Sequence, residues 1–99
     1  MKVYLDDERT APEGWVHVKT AREAIDVLES GKVATISLDH DLGDDAAGTG
    51  YDVICWIERE AVTNGFIPPF IEIHSANPAG KMKMMLALDT IARYRHRRL

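Results

Sequence analysis

A single cysteine, Cys55, is all the sequence contains, so no disulfide can form within the chain and its core must hold by packing alone. Flanked by Val53, Ile54, Trp56 and Ile57, that cysteine reads as a small core residue rather than a nucleophile. Nothing approaches the roughly 20 consecutive apolar residues of a membrane-spanning helix, and Met1-Lys2-Val3-Tyr4-Leu5-Asp6 meets charge too early for a secretory signal. Both absences lead to the expectation of a cytoplasmic chain with no membrane partner. Basic residues do not dominate either: the formal net charge is −4, which argues against non-specific nucleic-acid binding over the whole surface. Repeats, low-complexity tracts and Pro/Gly-rich linkers are missing too. The 99 residues therefore read as one domain, 1–99, near the small end of what can bury a self-sufficient core.

Two short apolar runs end in carboxylates. Val3-Tyr4-Leu5 leads into Asp6-Asp7-Glu8, and Thr35-Ile36-Ser37-Leu38 leads into Asp39-His40-Asp41. If the runs are neighbouring parallel strands, their acidic groups converge at one sheet edge, where mutual repulsion calls for a bound cation or shared protons. A divalent-metal site is the direct reading.

Turn signals separate short strand-like runs from helical ones in the order β, β, α, β, α, β, α. Val3–Leu5 and Val16–Val18 are the first strands, joined by a loop with Pro12 and Gly14. Thr20-Ala21-Arg22-Glu23 is a capping box, and Ala24, Ile25 and Leu28 give the helix it opens an apolar stripe that stops near Gly31. Ala34–Leu38 forms the third strand, a helix spans about Tyr51 to Thr63 before Asn64-Gly65, and Phe70–Ile73 is the last strand. Asn77-Pro78 reads as an N-cap with proline at the first helical position. The final helix is expected to turn Met82, Met85, Leu88 and Ala92 inward and to end in Arg93, Arg95, Arg97 and Arg98.

Such alternation predicts an α/β fold, a three-layer parallel sheet covered on both faces through right-handed crossovers. About eight residues separate Asp7 from Val16, too few for a helical crossover, so an irregular loop must return the chain. The flavodoxin-like order 2-1-3-4 follows, with its switch point between the first and third strands. Ligands bind outside the carboxyl ends of strands at that switch, and both acidic clusters lie there.

These motifs resemble the receiver domain of two-component response regulators: an acidic pair after the first strand, an aspartate ending the third, a glycine some ten residues later opening a helix, and a serine after the fourth strand. The likeness implies a truncated receiver-like fold in which Asp6 and Asp7 hold magnesium with the backbone carbonyl of Asp41. It makes Asp39 the counterpart of the phosphoacceptor, and Ser75-Ala76 the counterpart of the hydroxyl-plus-alanine switch. A first helix, a fifth strand and the receiver lysine are missing, while His40 and His74 are added. The strings Leu5-Asp6-Asp7-Glu8-Arg9, Leu38-Asp39-His40-Asp41-Leu42-Gly43 and His74-Ser75-Ala76-Asn77-Pro78 are together similar to the receiver-like domains described as cyclic-phosphate processing. That resemblance implies action on a phosphate ester, and a link to RNA repair and to phage or bacterial conflict systems.

The chemistry is coherent by itself. Asp6, Asp7 and Asp39, with no thiolate nearby, suit Mg2+ or Mn2+, which would polarise a phosphoryl oxygen. His40 and His74 can move protons near neutral pH, or else steady a carboxylate. Arg9 could clamp a phosphate in bidentate fashion, Ser75 offers a hydroxyl, and the helix opening at Asn77 offers free amides. His17 and His96 read as surface residues, and Trp15 as either a lid or a packing residue under the loop. Two functions are expected. One is a metal-dependent phosphoesterase acting on a cyclic or terminal phosphate of a small molecule or RNA end. The alternative is a phospho-signalling or binding module, with a protein partner, that is phosphorylated at Asp39.

Overall fold

The computed structural model describes residues 1–98, with side chains through Arg93. The expectations attached to the side chains of Arg95, His96, Arg97 and Arg98 lie outside the described side chains. Four short strands, β1 (Lys2–Leu5), β2 (Val16–Val18), β3 (Thr35–Leu38) and β4 (Phe70–Ile73), form one sheet in the order β2-β1-β3-β4, every neighbour parallel. Order, direction and the helix-free β1–β2 return are those expected from the spacing. The return starts tightly because the Asp6 carboxylate accepts the amides of Glu8 and Arg9, both at 2.8 Å, and so turns the chain as it leaves β1.

Helices α1 (Ala21–Leu28), α2 (Gly50–Asn64) and α3 (Pro78–Arg98) follow β2, β3 and β4 in turn. Thr20 caps α1 by accepting the Glu23 amide at 3.1 Å, although the Glu23 carboxylate meets the Thr20 hydroxyl rather than completing the expected box. The complete capping box is at α2, where Thr49 and Asp52 satisfy each other's amides. At α3, Asn77 accepts the Gly80 amide at 3.0 Å and Pro78 opens the helix, as the sequence predicts. The inward face of α3 is a correction. Met84 and Ile91 are buried, with Ala87 and Leu88 packed beside them, whereas Met82 is 67% and Met85 55% exposed and Ala92 is exposed. Three methionines within four positions leave the phase of the stripe open in the sequence, and contact with α2 and β4 sets it one residue away from Met85.

Crossovers β2-α1-β3 and β3-α2-β4 advance across the sheet in the same direction, so right-handedness puts both helices on one face. α3 packs against α2 on that face. Val3, Leu5, Val18, Ile36 and Leu38 point into it and form the core with Ala24, Leu28, Val53, Ile54, Ile57 and Met84. The opposite face has no helix among the described residues, so the expected cover on both faces is corrected to a helix layer on one face only. It carries two cross-sheet rows, Lys2, Thr35 and Phe70, then His17, Tyr4, Ser37 and Glu72, none of them in the core cluster. Cover there comes from the β1–β2 loop, whose Trp15 meets the Tyr4 ring edge-on at 6.2 Å. Trp15 is thus a packing residue under the loop. No helix is long and apolar enough to cross a membrane among the described residues.

Candidate functional site

Parallel register assembles the site. Leu5, Leu38 and Ile73 are paired across β1, β3 and β4, so the residues that follow them, Asp6, Asp39 and His74, come out in a row at the carboxyl edge. The amides of Asp39 and His74 extend the ladder by one bond each, to Leu5 O and Leu38 O, both at 3.0 Å. Alternation then turns the side chains onto the sheet face away from the core. One ligand atom from each of Asp6, Asp39 and His74 lies within 4.8 Å of the others.

Asp6 is 1% exposed, and its carboxylate is fully employed on one side. Oδ1 takes the two loop amides, and Oδ2 meets Nε2 of His74 at 3.0 Å. Burial alone would push its pKa up, but the amides of Arg9 and Glu8 and the His74 contact outweigh that and hold it below the ordinary carboxylate value. Asp39 goes the other way. Burial and then the negative charge of Asp6 raise its pKa, against the opposing bond from the His40 amide to Oδ1 at 2.8 Å. Among the described residues nothing donates to its other oxygen. One carboxylate fixed as an anion thus crowds a second whose charge is disfavoured, and a cation between them would relieve both. The donor set fits one: Oδ2 of Asp6 has a lone pair to spare, Asp39 has a free oxygen, and His74 adds an imidazole. Two oxygens and a nitrogen suit Mn2+ better than Mg2+, which prefers oxygen throughout.

Asp7 and Asp41 lie apart from this row. Asp7 points toward Gly43, where an added Cβ would come within 2.7 Å of its Oδ2 and where a φ of +79° favours glycine. The Asp41 carboxylate accepts from Asn77 Nδ2 at 3.2 Å and meets Nδ1 of His40 at 2.9 Å, and these contacts, His40 first, lower its pKa. Asn77 is thereby committed to the α3 cap and to Asp41. Arg9 spends one guanidinium nitrogen on the carbonyl of His74 at 2.8 Å, and its Nε stands 3.9 Å from Asp6. Ser75 accepts the Asn77 amide at 3.1 Å and keeps its proton to donate.

The two histidines differ. His40 lies against Gly80 in the first turn of α3, with Nδ1 at Asp41 and Nε2 without a protein partner among the described residues. His74 has both nitrogens engaged, Nε2 at Asp6 and Nδ1 at the Ser37 hydroxyl, 2.7 Å away, and its ring is stacked on Tyr4. Ser37 and Tyr4 were not among the residues the sequence singled out. Their signal is a polar residue at every second position of β1 and β3, which marks a face turned away from the core. His17, exposed on β2, reaches the backbone carbonyl of Asp6 at 2.7 Å through Nε2.

A family model described as Cyclic-phosphate processing Receiver domain matches residues 1–90. No curated protein and no solved structure matches the chain.

Proposed function

The chain belongs to the family of cyclic-phosphate processing receiver domains, and from that premise we propose that it is a metal-dependent phosphoesterase opening a cyclic phosphate on a nucleotide or RNA end. The observation that supports this most is the row Asp6, Asp39, His74, a divalent-cation donor set at the carboxyl edge of a receiver sheet. Bound there, the cation would supply charge to polarise a phosphoryl oxygen and acidify a water.

The residues divide the remaining work. Ring opening joins a water oxygen to phosphorus and breaks one phosphorus–oxygen ester bond. One proton leaves the water and one reaches the departing alkoxide, so the product is a phosphomonoester beside a free hydroxyl. His40, with Nε2 free and Nδ1 steadied by Asp41, carries the proton. His74, bonded at both nitrogens, orients Asp6 rather than shuttling protons, and would join the donor set by exchanging its Nε2 bond to Asp6 for the cation. The Ser75 hydroxyl and the unspent nitrogen of Arg9 face the anion as donors.

Purified protein incubated with nucleoside 2′,3′-cyclic phosphates and an RNA 2′,3′-cyclic end, with Mn2+ or with chelator, tests the reading. Metal-dependent monoester formation, lost about 10²–10⁴-fold in His40→Ala as expected for a proton carrier, is the expected result; no product from any substrate sinks it.

The free oxygen of Asp39 also favours a second reading, in which it accepts a phosphoryl group as receiver aspartates do. Acetyl phosphate adding the mass of one phosphoryl group to wild type, but not to Asp39→Asn, would select that reading.

A further inference from the structure

We propose that Ser37 is a positioning residue that fixes which nitrogen of His74 faces Asp6 and the cation site, by bonding the other one. Its side chain is the sole polar one in the buried stretch Ile36-Ser37-Leu38, and it is itself 4% exposed. Its hydroxyl lies 2.7 Å from Nδ1 of His74, while Nε2 lies 3.0 Å from Asp6 Oδ2.

The partners settle the proton pattern. An ionised carboxylate only accepts, so Nε2 carries the hydrogen that meets Asp6. In the neutral ring Nδ1 is then bare and must accept, and among the described residues the donor there is the Ser37 hydroxyl. If Nε2 instead gives its electron pair to a cation, the ring hydrogen sits on Nδ1, and the same hydroxyl turns to accept it. A hydroxyl can do both, whereas an alanine, valine or carboxylate at position 37 can do at most one. The stacked Tyr4 ring fixes the imidazole plane but cannot tell one ring edge from the other, so the edge is held by Asp6 at Nε2 and Ser37 at Nδ1, and Ser37 is the partner that can serve its nitrogen both bare and protonated.

Only the consequence for turnover rests on the phosphoesterase reading; the proton pattern can be read without it. The test is the ¹⁵N-correlated imidazole spectrum of the cation-free protein, together with Mn2+ affinity by titration. Wild type and Ser37→Thr, which keeps the hydroxyl, should both show one His74 species protonated at Nε2. Ser37→Ala should keep the Nε2 hydrogen that Asp6 requires but shift the Nδ1 resonance as that nitrogen loses its donor, and should bind Mn2+ about 10–100-fold more weakly, the usual loss when the partner of a ligating histidine is removed. An unshifted Nδ1 resonance in Ser37→Ala, or unchanged Mn2+ affinity, overturns the proposal. A shifted Nδ1 resonance and weakened Mn2+ binding in Ser37→Ala, with no turnover by wild type, would leave the role of Ser37 standing and remove the phosphoesterase reading.

Discussion

The phenol of Tyr4 and the imidazole of His74 lie flat on each other, ring centroids 4.3 Å apart and planes 2° from parallel. Tyr4 lies in β1 and His74 just past the end of β4, two strands separated by β3, which offers Ser37 opposite Tyr4. A small residue there lets two rings meet above it, and the stack braces the imidazole over its partners. Tyr4→Phe should preserve this brace. Tyr4→Ala should lose about 0.5–1.5 kcal/mol beyond the area effect and should release the ring-current shift on the His74 protons. Urea unfolding and proton spectra measure the two, and an unshifted His74 in Tyr4→Ala would contradict the stack.

Asp39 should behave oppositely with and without a cation. Its raised pKa means that folding disfavours the ionised form, a penalty present at neutral pH that shrinks as pH falls through the raised folded value and is gone below 3.8. Without metal, Asp39→Asn should therefore be more stable than wild type at pH 7, the difference closing near pH 3. At Mn2+ a hundredfold above its dissociation constant, wild type should gain about 2.7 kcal/mol and the variant little. Equal gains in both would take Asp39 out of the cation site.

For Asp6 the sign is reversed. Its lowered pKa contributes stability above its ordinary value of 3.8, and that contribution is lost as pH drops through the lower folded value. Asp6→Asn should be less stable at pH 7 by about 1.5–3 kcal/mol, the range for hydrogen bonds to a charged group. The gap should narrow in acid. A pH-independent difference between the two proteins would mean that the charge of Asp6 is not what matters.

Two glycines separate a fold defect from a site defect. A Cβ on Gly50 would lie 2.0 Å from the Asp39 carbonyl oxygen, backbone against backbone, so Gly50→Ala should cost at least the upper end of the about 1–3 kcal/mol typical of overpacking. On Gly80 it would lie 2.5 Å from the His40 ring, which can swing aside. Gly80→Ala should unfold near the wild-type midpoint yet lose turnover as His40 leaves Asp41. Full activity with His40 displaced in a crystal structure would remove it as proton carrier.

Met84→Ala should cost about 2–5 kcal/mol, whereas Met82→Ala and Met85→Ala should stay within about 0.5 kcal/mol. Denaturation midpoints of the three decide which face of α3 is buried.

What could be read in the sequence was what neighbours along the chain determine. The Asn77-Pro78 start of α3, the N-cap of Thr20 and all four strands depend on local spacing, and strand order followed from a loop too short to hold a helix. The Thr49/Asp52 box was equally local and its signal was present. The phase of α3 was not readable, because Met82, Met84 and Met85 are alike until α2 selects among them. Within the site, Asp6 and Asp39 were visible as strand-tip carboxylates. That Ser37 and Tyr4 converge on His74 depends on the register of β1, β3 and β4, on residues 33 to 70 positions apart in the chain.

Helices gathered on a single side of the sheet split the chain's obligations between alternate residues of the same strand. In β3, Ile36 and Leu38 answer to the core, while Ser37, between them, answers to His74. Changes at Tyr4, His17, Ser37 or Glu72 therefore leave the apolar interior intact. A lineage of such domains could rework its chemistry one side chain at a time without first having to rebuild the body that carries it.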